Sequence, residues 1–148
     1  LDGKPVDARV KEYARQIRLN AKVLEEEFRR RDYRICFGGT DNHLLLVDVM
    51  GSKNVTGRNA QEALDKAGIP VNKNAIPDDA RGPMDPSGIR FGTPAVTTRG
   101  MKENEMRLIA GWMDEAIANA ADDAKLAAIR AEVKGLTDRF PLYSGISY

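Results

Sequence analysis

The chain has 148 residues, of which 42% are hydrophobic and 30% are charged, and this composition is typical of one globular domain with its own core. Its 23 basic and 22 acidic residues leave a formal net charge of +1, which excludes a strongly basic nucleic-acid-binding arm and an acidic tail. One cysteine and one histidine exclude a disulfide framework, a cysteine-based zinc cluster and a histidine-rich metal site.

The first predicted element is a long amphipathic helix that begins near Pro5. Two charged runs near its end, at 25–27 and 29–31, are interpreted as a solvated face and a basic helix end that complements the negative pole. Nucleic-acid binding by the three arginines is the alternative, and no stripe of basic and aromatic residues accompanies them. The apolar residues recur at three- and four-residue steps and predict one buried stripe: Val6, Val10, Tyr13, Ala14, Ile17, Ala21, Leu24 and Phe28.

Two strands follow, Tyr33–Phe37 and His43–Val49, and the glycine-rich segment at 38–42 predicts a turn between them. The second strand is almost entirely apolar, so we expect both of its faces to be covered. A pairing of Cys36 with His43 for nucleophilic catalysis is conceivable. A cysteine inside an apolar strand is usually an unreactive core residue, so the structural interpretation is favoured.

The middle of the chain predicts a helix, a strand and a loop. Thr56 is suited to cap a helix that runs to about Ala67, and Gly68 is suited to the position just after its end. Ile69–Asn74 is predicted as a third strand. The prolines and aspartates of Ala75–Ser87 predict an irregular loop.

The last third predicts a short strand, Ile89–Phe91, and two helices. The first helix runs from Lys102 to about Ala120, and the second, capped by Asp122, stops at Gly135. Together the elements predict an α/β fold of the α+β two-layer type, in which helices pack on a small mixed or antiparallel sheet. The expected buried residues of the last helix are Leu126, Ile129 and Val133, and the segment from Phe140 to Tyr143 is expected to pack as a tail.

Three polar clusters in loops or beside strands are candidates for a site. The turn at 38–43 has no phosphate-loop lysine and is interpreted as structural. Asn72 and Asn74 offer amide donors and acceptors, which suit either ligand recognition or a turn. Arg90 lies in an apolar strand, where its guanidinium needs an anion: either a ligand carboxylate or an internal aspartate (Asp78, Asp79 or Asp85).

At these same residues the chain resembles the C-terminal domain of serine hydroxymethyltransferases. The helix from Tyr13 to Glu27 is also similar to the long helix that leads into that domain. The motifs that carry the resemblance occur in the order and spacing of the family: Gly38-Gly39-Thr40-Asp41-Asn42-His43-Leu44, Val47-Asp48, Gly68-Ile69-Pro70-Val71-Asn72-Lys73-Asn74, Ser87-Gly88-Ile89-Arg90-Phe91-Gly92-Thr93-Pro94-Ala95 and Thr97-Thr98-Arg99-Gly100.

The resemblance implies the small domain of an enzyme of the aspartate-aminotransferase fold that uses pyridoxal phosphate. Such an enzyme interconverts serine and glycine and transfers a one-carbon unit to or from tetrahydrofolate. Arg90 then matches the arginine that binds the amino-acid carboxylate, and Asn74 matches an asparagine that contacts the folate. The implied boundaries are a connecting helix at 1–32, the small domain at 33–143 and a frayed tail at 144–148.

The family's Schiff-base lysine, in a Thr-Thr-x-Lys-Thr segment, has no counterpart in this sequence, and no catalytic, cofactor-binding or metal-binding residue is assigned. We therefore expect this chain, which also lacks an initiator Met, to be an inactive piece of a longer enzyme. That enzyme is expected to be a cytoplasmic homodimer or homotetramer that binds neither nucleic acid nor a membrane. The alternatives are a stand-alone module that binds an amino acid or a folate, and a self-associating structural domain.

Overall fold

The computed structural model of the chain describes residues 6–37 and 44–141. The predicted turn at 38–42, His43 and the predicted frayed tail at 144–148 lie outside the described residues. The elements of the described residues, in chain order, are α1 Val6–Arg30, β1 Arg34–Phe37, β2 Leu44–Asp48, α2 Val49–Lys53, α3 Gly57–Lys66, β3 Asn72–Asn74, β4 Gly88–Gly92, α4 Pro94–Thr98, α5 Glu103–Ala118 and α6 Asp123–Arg139.

The strands of the described ranges form one sheet in the order β1-β2-β4-β3, and each strand is antiparallel to its neighbours. Helices pack on this sheet, so the predicted two-layer α+β fold is confirmed. Strand β4 lies between β2 and β3, and each of its five residues pairs with a residue of β2. The middle of β4 therefore has a strand on both sides, while β3 is an edge strand.

The core lies between the helices and one face of the sheet. Val47 of β2 and Ile89 of β4 are directly opposite each other in the sheet, and both are fully buried in this core. Phe28 of α1 is also fully buried, and its ring lies 4.9 Å from that of Tyr33 and 5.3 Å from that of Phe91, between ring centres. Aromatic contacts of this kind join α1 to the sheet.

Local signals located three helix ends correctly. The Thr56 hydroxyl accepts a hydrogen bond from the Asn59 N–H at 3.1 Å, and the Asp122 carboxylate accepts one from the Lys125 N–H at 3.1 Å. Gly68 follows α3 with a φ of +82°, which glycine adopts without steric cost. Both predicted N-caps and the predicted glycine end are therefore confirmed.

The third strand is shorter than predicted, because its first residues complete the end of α3. The Ile69 N–H donates to the carbonyl oxygen of Leu64 at 2.8 Å, and Pro70 has no N–H to offer a neighbouring strand. Two five-residue helices, α2 and α4, were not predicted, because a single turn is too short to show a helical period.

The buried stripe of α1 is confirmed only in the second half of the helix. Leu24 and Phe28 are buried, whereas Val10 is 59% exposed and Tyr13 is 41% exposed. The Tyr13 hydroxyl shares a hydrogen bond of 2.6 Å with the Thr98 hydroxyl at the edge of the domain. The first half of the helix therefore has the apolar periodicity, but the described residues leave Val10 and Tyr13 exposed.

Helix α6 does not stop at Gly135 as predicted but continues to Arg139. Leu136 is buried and extends the stripe that Leu126, Ile129 and Val133 begin. Packing of that extra turn outweighs the low helix propensity of one exposed glycine. Within residues 6–37 and 44–141, neither this helix nor any other is long and apolar enough to cross a membrane.

The charged runs near the end of α1 are paired with each other rather than uniformly solvated. Glu27 is buried, and its Oε1 accepts hydrogen bonds from Arg30 at 2.7 Å and from Arg31 at 3.0 Å. Burial would raise the pKa of Glu27, but the hydrogen bonds from the two arginines outweigh it and hold the pKa below its usual value. Arg29 lies 3.7 Å from Glu25, so each of the three arginines has a carboxylate partner within the domain.

Candidate functional site

Arg90 lies at the middle of the central strand β4, on the face of the sheet opposite the helical layer. Its chain neighbours Ile89 and Phe91 belong to the core, and side chains alternate between the two faces of a strand. Across the sheet, Arg90 is opposite Leu46 of β2 on one side and Asn72 of β3 on the other. The strand pairing therefore sets the direction of the guanidinium.

The guanidinium of Arg90 is exposed and makes no hydrogen bond or ion pair with the described residues. The sequence left an internal salt bridge open, but two of the three aspartates are engaged elsewhere. Asp79 accepts hydrogen bonds from its own loop, and Asp85 binds Arg81 at 3.0 Å. Asp78 is exposed. Within the described part of the chain, the charge of Arg90 is therefore available to an external anion.

Asn74 ends strand β3 on the same face of the sheet as Arg90. It lies two residues after Asn72, the direct partner of Arg90, so the two side chains are diagonal neighbours across the sheet. Diagonal pairs of this kind lie roughly 7–8 Å apart. The Asn74 side-chain amide donates to the carbonyl oxygen of Ala75 at 2.8 Å, which leaves its own oxygen as an acceptor. The structure thus brings the two predicted site residues together.

The Asp79 carboxylate joins the end of β3 to the beginning of β4. Its Oδ2 accepts from the backbone N–H of Ile76 at 3.3 Å and of Ser87 at 2.9 Å. Its Oδ1 accepts from the Ser87 hydroxyl at 2.7 Å and the Arg81 N–H at 2.9 Å. Burial would raise the pKa of Asp79, but these hydrogen bonds outweigh it and lower the pKa to about 2. The carboxylate therefore stays ionised across the physiological range.

The other end of β4 is attached to α1. The Thr93 hydroxyl donates to the carbonyl oxygen of Ile17 at 2.9 Å. The fully buried Asn20 donates to the Thr97 hydroxyl at 2.9 Å and to the carbonyl oxygen of Met101 at 3.0 Å. Both ends of the strand that carries Arg90 are thus fixed by side-chain hydrogen bonds.

Sequence reasoning did not single out Asp79 or Asn20. Asp79 was considered only as a partner for Arg90, although an aspartate in a loop readily accepts a hydrogen bond from the backbone two residues further on, as Asp79 does from Arg81. Asn20 lies beside the apolar stripe of a helix, and a polar residue there indicates a buried hydrogen bond. These signals identify residues that bond to the local backbone, but not their distant partners.

The environment of Cys36 does not favour nucleophilic catalysis by a Cys36 and His43 pair. Cys36 is half-buried on β1, and burial raises the pKa of its thiol, which disfavours the reactive thiolate. His43 lies outside the described residues. In residues 6–37 and 44–141, no group of three or more metal-binding side chains is placed to hold a metal ion.

A cavity of about 320 Å³ lies on the helical side of the sheet, away from Arg90 and Asn74. Its walls are mostly apolar and include Leu24, Met106, Met113 and Val133. The candidate site is instead the face of the sheet that carries Arg90 and Asn74. Leu46 beside Arg90 is buried, so β2 is covered on both faces as predicted, whereas Arg90 itself is exposed.

The described residues do not supply a place for pyridoxal phosphate. The cofactor needs a lysine in a protected site for its covalent link. The least exposed of the described lysines are Lys53, which lies over the Tyr33 ring at 4.8 Å, and Lys73, which donates to the carbonyl oxygen of Met84 at 2.8 Å. Both are engaged, and the other described lysines are exposed. The part of the chain that the structure describes therefore does not by itself fit the cofactor.

A family model and a curated relative both connect the chain to the same enzyme family. The family model of serine hydroxymethyltransferase matches residues 3–113, which include β3 and β4. The serine hydroxymethyltransferase of Myxococcus xanthus (strain DK1622) is 54% identical to the chain over 134 residues. These residues are 90% of this chain but only 32% of that protein, so the chain spans about a third of the length of this relative. The chain belongs to the serine hydroxymethyltransferase family.

Proposed function

We propose that the chain is the C-terminal domain of a serine hydroxymethyltransferase that uses pyridoxal phosphate. The full-length enzyme converts serine and tetrahydrofolate to glycine and methylenetetrahydrofolate, and this domain contributes the arginine that binds the amino-acid carboxylate. The observation that carries the proposal is the exposed Arg90 guanidinium, which has no anionic partner among the described residues. A charge that a fold directs away from its core without an internal partner is available for a ligand.

Arg90 is suited to a carboxylate because the planar guanidinium donates two parallel hydrogen bonds to the two oxygens. A bidentate contact of this kind holds the carboxylate in one orientation and thereby sets the direction of the bonds around the α-carbon. Pyridoxal phosphate supplies an electron sink when it is bound by the complete enzyme. The contribution of this chain is to orient the amino acid, which is a large part of catalysis.

Asn74 is proposed to contact the folate. Its free side-chain oxygen lies on the same face as Arg90 and accepts hydrogen bonds of the kind that a pteridine-like group offers. Its place as a diagonal neighbour of Arg90 supports a site where the amino acid and the one-carbon carrier lie side by side.

The first half of α1 supports a role within a longer protein. Val10 and Tyr13 continue the apolar stripe of the helix but stay largely exposed in the described part. In the proposed enzyme, a cofactor-binding domain covers this surface, and the assembly is a cytoplasmic homodimer or homotetramer. The isolated chain is proposed to be inactive, because its described residues do not fit the cofactor.

The test is Arg90→Lys in the full-length enzyme, with Arg58→Lys as the matched control. Lysine keeps the charge but loses the planar fork, and Arg58 is an exposed arginine of α3 whose side chain pairs with Glu62 at 3.3 Å. Arg90→Lys should raise the KM for serine by roughly 10- to 100-fold, the equivalent of one lost charge-assisted hydrogen bond. Arg58→Lys should leave the KM unchanged. An unchanged KM for serine in Arg90→Lys rejects the proposed role.

A stand-alone binding module is the second candidate, because Arg90 and Asn74 lie together within this one chain. Calorimetry of the isolated chain with glycine and with a folate separates the two. Saturable binding that Arg90→Ala abolishes favours the module, whereas no binding and no serine cleavage favour the enzyme domain. Sedimentation of the same sample at several concentrations tests the third alternative, self-association through the exposed apolar residues.

A further inference from the structure

The two proposed ligand contacts lie on neighbouring strands that are joined by the long connection at 75–87. Strand β3 has only three residues and lies at the edge of the sheet, where β4 is its single neighbour. Edge strands this short contribute few ladder hydrogen bonds of their own. The position of Asn74 relative to Arg90 therefore depends on what holds the ends of this connection.

The beginning of β4 is held rigidly against the rest of the domain. The Gly57 N–H donates to the carbonyl oxygen of Pro86 at 2.7 Å, and the Met50 N–H donates to that of Ser87 at 3.0 Å. Gly88 lies so close to β3 that an added Cβ would be 2.7 Å from the carbonyl oxygen of Asn74. The first residues of β4 are thus fixed relative to the rest of the domain.

Strand β3 pairs with β4, and its Lys73 N–H donates to Gln61 Oε1 of α3 at 2.7 Å. Beyond these contacts, the Asp79 side chain ties the end of β3 to the beginning of β4. The Asp79 carboxylate accepts from Ile76, two residues after Asn74, and from both the N–H and the hydroxyl of Ser87, three residues before Arg90. Its bond to the Arg81 N–H holds the loop around it. A single group therefore bonds both ends of the connection between the two proposed contacts.

We propose that Asp79 is a positioning residue that sets the distance between Arg90 and Asn74 through hydrogen bonds to Ile76 and Ser87. This inference rests on the proposed function, because it concerns how the two ligand contacts are held. Asp79 itself touches neither substrate. Its loss shifts β3 relative to β4 and weakens binding of the amino acid and of the folate together.

The test uses Asp79→Asn in the full-length enzyme. Asparagine has nearly the same size, but its NH₂ group cannot accept hydrogen bonds, so at least one of the three bonds from backbone N–H groups is lost. Asp78→Asn is the matched charge control, because Asp78 is exposed and its φ of +56° is a conformation that asparagine tolerates. Asp122→Ala is the stability control, because it removes a carboxylate that caps α6 in the same way, by accepting a backbone N–H.

We expect Asp79→Asn to raise the KM for serine and the KM for tetrahydrofolate by roughly tenfold each, less than the hundredfold of a full 1 Å displacement. The kcat should change less than either KM. Asp78→Asn should change nothing, and Asp122→Ala should lower Tm without changing either KM. In the Arg90→Lys background, Asp79→Asn should add little to the KM for serine, because the two changes damage the same contact.

A lower Tm with both KM values unchanged in Asp79→Asn makes the residue merely structural and overturns the inference. Failure of the proposed function is a different result, in which Arg90→Lys itself leaves the KM for serine unchanged. If Asp79→Asn does not fold, Ser87→Ala removes only the 2.7 Å side-chain bond and leaves the backbone bonds in place. That variant should raise both KM values severalfold, and unchanged values there overturn the inference equally.

Discussion

The stability of the chain should depend on pH through Asp79, and Asp79→Asn tests this in the 148-residue chain itself. The pKa of this carboxyl falls to about 2 in the folded chain, from an ordinary value of 3.8. One pKa unit corresponds to about 1.4 kcal/mol, so the ionised group stabilises the folded state by about 2 kcal/mol at pH 7. Asp79 is half-buried, and the loss of one hydrogen bond to a carboxylate gives a figure of the same order, about 1.5–3 kcal/mol.

The sign follows from the direction of the shift. Because the pKa is lowered on folding, the stabilisation is fully present above the ordinary pKa of 3.8 and disappears as the pH falls towards 2. By pH 3 about half of it should remain. Wild-type chain and Asp79→Asn should therefore differ by about 2 kcal/mol at pH 7 and by about 1 kcal/mol at pH 3.

Urea unfolding followed by circular dichroism at pH 7, pH 4 and pH 3 measures these differences. Asp78→Asn is the control, and its free energy of unfolding should stay within about 0.5 kcal/mol of wild type at each pH. A difference between wild type and Asp79→Asn that is the same at pH 7 and pH 3 would refute the reasoning, because the effect would not come from the charge.

The remaining predictions concern packing and the buried ion pair. Gly88→Ala should destabilise the chain by about 1–3 kcal/mol in the same urea assay, because the added Cβ would lie 2.7 Å from the backbone oxygen of Asn74. Gly135→Ala should stabilise the chain by about 0.5–1 kcal/mol, because nothing lies within 4 Å of the added Cβ and alanine favours the helix. Equal effects would contradict the packing described for β4. Glu27→Gln should cost about 1–3 kcal/mol at pH 7, because Arg30 and Arg31 lose the carboxylate that pairs with both of them. Because folding lowers the pKa of Glu27, the stability difference between wild type and Glu27→Gln should shrink as the pH falls below the usual pKa of a glutamate. Thermal unfolding of both proteins at pH 7 and at pH 3 measures this difference. Equal Tm values at pH 7 would contradict the prediction.

Helix ends and most elements could be predicted because their signals are local. The Thr56 and Asp122 caps and the glycine after α3 depend on atoms within a few residues, and the structure confirms all three. The predicted end of α6 at Gly135 was wrong, because Leu136 packs on the core and this tertiary contact outweighs the weak local signal of the glycine. The exposure of Val10 was missed for a related reason: an apolar stripe does not say what covers it.

The sequence by itself determined the family motifs, the two-layer fold and the choice of Arg90 and Asn74 as candidate contacts. It left open whether Arg90 binds an internal aspartate, because side-chain partners depend on which strands are neighbours. The tertiary structure places Asn72 and Leu46 beside Arg90 and engages Asp79 and Asp85 elsewhere, so the guanidinium remains free among the described residues. Only the folded chain could decide this, because strand pairing joins residues whose separation in the sequence carries no local signal.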